Sequence, residues 1–236
     1  MQIMRCLRPV SVAGWFTAVL LVSSGCRGGL SSIAPEGFAP APSSTVRGWI
    51  RSLTPSRPRL YQIQPWRYRN ERGAAAGRAS IRVVPPDSLR FDYRGPFGRA
   101  GNAVIVGDSA LWVAGADDFE GLLTFAPLLW TALGIPPMPP ESAPLFSLVG
   151  DDFRAWRYIL AGDTLDFILT GSPPVRLRGE IRREGRVLGQ VAVEFDVVTG
   201  LPVKSRMDFW DVSRFEFTIR SVDTLAIFDS TIWEQR

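Results

Sequence analysis

The sequence predicts a mainly β domain of the α+β class: antiparallel strands with short helices set among them. Two observations carry that prediction. From residue 79 to residue 220, short runs alternate between apolar and polar residues, and turns rich in Gly, Asp and Pro separate them. One apolar stretch, residues 118–134, breaks the alternation at mid-domain. Side chains leave a strand on opposite faces with period two, so an alternating run with one apolar face is a half-buried strand.

The strands follow in order. Ala79, Ile81 and Val83 form one apolar row; Leu89, Phe91 and Tyr93 form the next, against Arg90, Asp92 and Arg94. Pro85-Pro86-Asp87 turns the chain between them. Residues 103–106 and 110–114 make a hairpin around Gly107-Asp108-Ser109. Residues 154–160 and 164–169 flank a Gly162-Asp163 turn, and residues 175–183 pair onward through Glu184-Gly185. The clearest strand is 187–197. Val187, Gly189, Val191, Val193, Phe195 and Val197 point one way; Gln190, Glu194 and Asp196 point the other. After Thr199-Gly200, the residues Leu201, Val203, Met207 and Phe209 continue the odd-numbered face. After a turn near Asp211, Phe215, Phe217 and Ile219 alternate with Arg214, Glu216, Thr218 and Arg220.

Two segments read as helical. Residues 45–53 form a short helix capped by Ser43 or Ser44. In residues 118–134, Asp117 or Asp118 caps the start, Gly134 and Pro136 end it, and Pro127 divides it into two short helices. Phe119, Leu122, Leu123, Phe125, Leu128, Leu129, Trp130 and Leu133 leave this insert almost no polar face. A helix apolar nearly all round must be covered on several sides. A Pro-rich loop follows from Ile135.

The first 25 residues have the layout of an export signal. Arg5 and Arg8 are followed by an uncharged apolar run at 10–22, then by Ser23-Ser24-Gly25 and Cys26. A transmembrane helix needs about 20 apolar residues, so this run is short, and no second long run follows. The segment Leu-Val-Ser-Ser-Gly-Cys resembles the bacterial lipobox, except that Ser23 stands where leucine is usual. The resemblance implies that Cys26 becomes a lipid-modified N-terminus carrying acyl chains such as palmitate, anchoring the mature protein to a membrane. Cys6 leaves with the signal, so no disulfide forms within the mature chain. Residues 26–44, rich in Gly, Ser, Pro and Ala, read as the lipidated Cys and a flexible tether. Residues 45–236 read as one domain. Lipoproteins retained in the inner membrane often carry aspartate after the cysteine. Here Arg27 follows, which implies the outer membrane, with the domain facing the periplasm.

Composition narrows the function classes. Hydrophobic content of 46% with 21% charged residues fits a folded globule. Beyond the signal, 25 basic residues face 23 acidic ones, with Lys204 the single lysine. The chain lacks the basic run of a nucleic-acid footprint. It contains no histidine, which removes a Ser-His-Asp triad, a Cys-His pair and imidazole metal ligation. The carboxylate pairs Asp117-Asp118 and Asp151-Asp152 fall at turns or helix starts, where capping accounts for them. Asp151, Asp152, Asp163 and Asp166 lack the twelve-residue calcium-loop spacing. Gly95-Pro96-Phe97-Gly98 lacks the lysine of a phosphate loop. The sequence therefore indicates no enzyme and no cofactor.

Residues 77–98, with their strand, turn, strand and Gly95-Pro96-Phe97-Gly98 corner, resemble the first half of the LolA/LolB lipoprotein-carrier fold. The apolar insert falls where that fold places its lid. The segment from Phe195 to Lys204, followed by Arg214 to Arg220, is similar to the fold's closing strands. The resemblance spans about residues 45–222. It implies a strongly curved antiparallel sheet forming an unclosed barrel, with helices over its mouth and a cavity for acyl chains. Residues that would line such a cavity are Phe91, Phe119, Leu122, Leu123, Phe125, Leu129, Trp130, Leu133, Val193, Phe195, Phe215 and Phe217. Two readings result. One is an outer-membrane carrier or receptor for lipid or for the acyl chains of lipoproteins. The other is a non-catalytic envelope lipoprotein whose barrel is filled and which binds another envelope protein.

Overall fold

The computed structural model describes residues 30–107, 109–114 and 125–233. Cys26 and the first half of the apolar insert, with Asp117, Asp118, Phe119, Leu122 and Leu123, lie outside them.

The strands, in chain order, are β1 (Ala39–Pro40), β2 (Arg59–Asn70), β3 (Gly73–Val84), β4 (Ser88–Arg94), β5 (Ala100–Val106), β6 (Ser109–Ala114) and β7 (Leu145–Val149), then β8 (Phe153–Leu160), β9 (Asp163–Thr170), β10 (Arg176–Arg183), β11 (Arg186–Phe195), β12 (Pro202–Phe209) and β13 (Arg214–Asp223). Two helices complete the set, α1 (Ser43–Leu53) and α2 (Ala126–Ala132). All thirteen strands join one antiparallel sheet in the order β1-β7-β8-β9-β10-β11-β12-β13-β2-β3-β4-β5-β6. Two hairpin meanders, β2 to β6 and β7 to β13, are fused where β13 pairs with β2. The end strands β1 and β6 do not pair, so the strongly curved sheet is an unclosed barrel.

The alternating rows land as their period dictates. Ala79, Ile81, Val83, Leu89, Phe91 and Tyr93 are buried on the inner face. Val191, Val193, Met207, Phe209, Phe215, Phe217 and Ile219 are buried there too. Cross-strand registers such as Ile81 with Phe91 and Met207 with Phe215 put these rows side by side.

Several sequence expectations need correction. β11 ends at Phe195, and Val197 is 62% exposed. The chain turns two residues sooner because the Asp196 carboxylate accepts hydrogen bonds from the Val198 and Thr199 amides and the Thr199 hydroxyl. Those bonds hold its pKa below the ordinary value. An irregular register between Glu194 and Phe195 brings Pro202 inward and leaves Val203 37% exposed. α1 begins at Ser43 behind Pro42 with no side-chain cap, and the Ser43 hydroxyl accepts from Arg47 Nε at 2.8 Å instead. The Asp151-Asp152 pair does sit where expected, exposed in the β7–β8 turn. β2 has no counterpart among the sequence-predicted strands.

The stretch read as a free tether through residue 44 is docked from residue 31 onward. Its anchor point is a charge cluster on the outer face of β8 to β11. Glu180 and Asp166 are both fully buried. Asp166 pairs with Arg157 Nε and Arg182 Nη2, each at 2.5 Å. Glu180 accepts from the Ser32 hydroxyl (2.6 Å), the Ile33 amide (2.7 Å) and Gln190 Nε2 (2.7 Å). Arg182 Nε lies 3.0 Å from Glu180 without hydrogen-bond alignment, so that contact is coulombic. Gln190 Nε2 also donates to the Ser31 carbonyl, and the Arg157 guanidinium stacks 4.2 Å from the centre of the Phe38 ring. β1 then pairs with β7. Residues 31–40 thus form a strap on the sheet.

Candidate functional site

The inner face of the curved sheet is the candidate site, and α2 lies in it. Pro127 occupies the first turn, where its missing N–H costs nothing. Gly134 ends the helical stretch with φ +78, a left-handed conformation that favours glycine. Leu128, Leu129, Trp130, Thr131 and Ala132 are all buried. The helix therefore sits inside the half-barrel as a plug, packed against β10, β11 and β12. A Cβ on Gly189 of β11 would come within 2.9 Å of Leu128, so this glycine makes room for the helix. Phe195 packs against Gly134 in the same way, with its ring 2.9 Å from where a Cβ would be.

Polar contacts fix the end of the plug. The Ser205 hydroxyl donates to the Ala132 carbonyl at 2.5 Å. The Thr131 hydroxyl donates back to the Pro127 carbonyl at 2.7 Å. The Tyr61 hydroxyl reaches the Leu133 carbonyl at 3.5 Å. Burial pushes the Tyr61 pKa above its ordinary value, and nearby Arg59 offsets part of that rise.

The sequence-predicted lining residues within the described chain gather in one cluster. Phe91, Leu129, Trp130, Leu133, Val193, Phe215 and Phe217 belong to the buried core, and Phe125 and Phe195 pack against it. They do not form one wall. Phe125 packs against Phe209 with the rings tilted and their centres 4.8 Å apart. Phe91 lies 5.9 Å from Tyr93, whose ring meets Trp66 edge-on. Phe215 turns to Trp66 and Phe217, at 6.3 and 5.5 Å. The plug faces β10 to β12, and the aromatic rows of β2 to β4 and β13 fill the other half.

A cleft of about 260 Å³ opens beside the plug. Ala126, Pro127 and Trp130 of α2 line one side, and Ile135, Pro136, Pro137 and Met138 of the following loop line another. The β3–β4 turn (Pro86, Asp87), Gly107 and Thr54 close it. Met138 is 38% exposed at its rim. Sequence reasoning did not select Met138, Ile135, Tyr61 or Ser205. Ser205 falls on the inward odd row of β12, which is the one signal that could have found it. Among the described residues, no three His, Cys, Asp or Glu side chains gather as metal ligands. No described helix is long and apolar enough to cross a membrane.

No family model and no curated protein matches the sequence. Solved structures do match the fold. A LolA superfamily protein of Nitrosomonas europaea superposes with a TM-score of 0.56 at 10% identity, covering 83% of this chain and 98% of its own. A Vibrio parahaemolyticus domain assigned to outer membrane lipoprotein sorting superposes with a TM-score of 0.51 at 9% identity, covering 81% of this chain and 94% of its own. The sheet order, the unclosed barrel and the buried helix inside it thus make the LolA-like fold.

Proposed function

We propose that the protein is a periplasmic, lipid-anchored outer-membrane protein that binds lipid, or the acyl chains of lipoproteins, on the inner face of its half-barrel. The observation that carries this reading is the pairing of an apolar plug with an apolar cleft beside it. Burying a Leu or Phe side chain is worth roughly 1.5–3 kcal/mol, so the plug stays seated in water. An acyl chain entering past Met138 would replace plug contacts with contacts of the same kind, so displacement costs little net free energy. Ligand pockets commonly measure about 300–1,000 Å³, so a 260 Å³ cleft must widen by movement of α2 to hold a long chain.

The anchor reading gains a geometric consequence. With Ser31 held by Gln190 and Ser32 and Ile33 by Glu180, five residue steps separate Cys26 from the docked strap, a reach of at most about 18 Å. A lipid on Cys26 would hold the outer face of β9 to β11 close to the bilayer and leave the barrel mouth as the working face.

The second reading, a filled-barrel protein that binds another envelope protein, draws on the burial of Leu128 to Ala132 of α2 and the bond from Ser205. Titration of the full chain carrying Cys26→Ala with a fluorescent fatty acid separates the two. The acyl-binding reading expects saturable binding that Met138→Glu weakens by about tenfold, since an unpaired charge at an apolar rim is costly to desolvate. No binding by folded protein, with native circular dichroism and a cooperative melt, leaves the filled-barrel reading.

A further inference from the structure

A second concavity lies on the opposite, outer face of β2 to β5. It measures about 900 Å³, and the segment around Ile232 borders it. Its walls carry Arg78, Arg82, Arg90, Arg94 and Arg220. The pairing register makes this arrangement costly. Arg78 lies directly opposite Arg94, and Arg82 directly opposite Arg90, with Ser80 and Asp92 paired between them. Like charges directly opposite in a sheet repel.

Elsewhere on the sheet several arginines have carboxylates of their own, and where arginines face each other, as Arg183 faces Arg186 and Arg214 faces Arg69, at least one of the two has an acid partner. Arg157 and Arg182 share Asp166, Arg176 meets Glu194, Arg183 meets Asp163, and Arg206 and Arg214 share Asp208. In the groove, Asp92 is the only lining carboxylate among the described residues, and Arg82 and Arg90 both engage it. Arg90 also donates to the Ile232 carbonyl. Arg220 donates to Gln64, a neutral partner. Arg78 and Arg94 form no ion pair with any described residue. One further group in the wall is unfinished: Asn102 Oδ1 is buried without a hydrogen-bond donor.

We propose that this groove is a separate ligand site that takes a phosphate ester of a hydroxylated carrier, such as glycerol phosphate or a sugar phosphate. The planar guanidinium presents its donors as a fork that fits phosphate oxygens, and several arginines converge here with too few acids. A dianion between Arg78, Arg94 and Arg220 turns the repulsion into attraction. A hydroxyl on the carrier supplies the donor that Asn102 Oδ1 lacks. The volume exceeds what inorganic phosphate fills and suits a phosphorylated polyol. The site stands on different residues from the interior, so it is independent of the acyl-chain reading.

The test uses the full chain with Cys26→Ala, so that no lipid anchor contributes. Glycerol 2-phosphate is titrated calorimetrically, and sedimentation with vesicles of phosphatidylglycerol or of phosphatidylcholine forms the second arm. Saturable binding of the soluble ester assigns a free ligand. Binding to phosphatidylglycerol vesicles alone assigns instead a singly charged phosphodiester, carried as a glycerol headgroup on a membrane. In either case the double substitution Arg78→Gln, Arg94→Gln weakens binding about tenfold or more, because each lost charged hydrogen bond matters. Arg51→Gln, on the distant helix α1, leaves it unchanged. Asn102→Ala weakens glycerol phosphate but not inorganic phosphate. The thermal midpoint of the double variant holds or rises, since a repulsive pair is gone. Absence of binding in both arms, or binding indifferent to the Arg78 and Arg94 changes, overturns the proposal. Equal effects of Asn102→Ala on the ester and on inorganic phosphate overturn the hydroxylated carrier.

Discussion

Gly77 sits where β3 passes beneath the Trp66 indole. A Cβ there would stand 1.9 Å from the Arg94 carbonyl oxygen and 2.8 Å from the Trp66 ring. Neither can yield cheaply: Trp66 is buried and donates its indole N–H to the Arg78 carbonyl at 3.1 Å. Gly77→Ala should therefore destabilise the fold by about 3 kcal/mol, the upper range for overpacking. Gly48, with open space around its missing Cβ on helix α1, is the control. Gly48→Ala should stabilise by about 0.4–1 kcal/mol, as an ordinary helical Gly-to-Ala change does. Urea unfolding of the two variants checks both signs. Tyr61 gives a pH-dependent prediction. Its pKa is raised by burial, so the folded state holds the proton more tightly than the unfolded state. The stabilisation is present below the ordinary tyrosine pKa of about 10 and is lost as pH rises through the raised value. Stability measured from neutral pH to above 10 should fall more steeply for the native protein than for Tyr61→Phe. Parallel curves for the two would remove Tyr61 as the cause.

Among the elements, β2 shows why part of the sheet was unreadable. Its inward residues are Tyr61 and Ile63, then Trp66, so the inward phase changes from odd to even numbers. The change comes at an irregular register between Ile63 and Trp66, on both the β3 and the β13 sides. A bulge of this kind erases the period-two signal on which strand recognition depends. The arginines at 59, 67 and 69 hide the remaining pattern further. The strap was unreadable for another reason: its bonds run from backbone and a serine to a carboxylate some 147 residues away, and local composition carries no trace of them. The strap yields a prediction. Asp166→Ala leaves Arg157 without its carboxylate and Arg182 with Glu180 alone, both half-desolvated, and should cost about 3 kcal/mol in urea unfolding. Glu180→Ala should release residues 31–33, so that limited proteolysis cuts the strap far faster while the sheet stays intact. Equal cleavage rates in the native and variant proteins would contradict the docking.

At the scale of the whole molecule, the hairpins with clean alternation were legible: β3 with β4, β8 with β9, and the meander β11 to β13. Those rows also supply most of the described interior residues chosen from sequence. The described part of the apolar insert, from residue 125 onward, was legible as helix, but its depth was not. Composition shows that α2 needs cover; only the tertiary positions of Gly189, Ser205 and Phe195 make it a plug within the barrel. The outer-face groove was equally hidden, because cross-strand register, and not spacing along the chain, sets Arg78 against Arg94. The central claim is that the plugged interior exchanges α2 contacts for acyl chains. Mass spectrometry of an organic extract from the purified full chain carrying Cys26→Ala tests it most directly. The account predicts fatty-acyl lipid recovered with the folded native-sequence domain and depleted in the Met138→Glu variant. An extract free of acyl lipid, from protein that melts cooperatively and fails to take up added fatty acid, would contradict it.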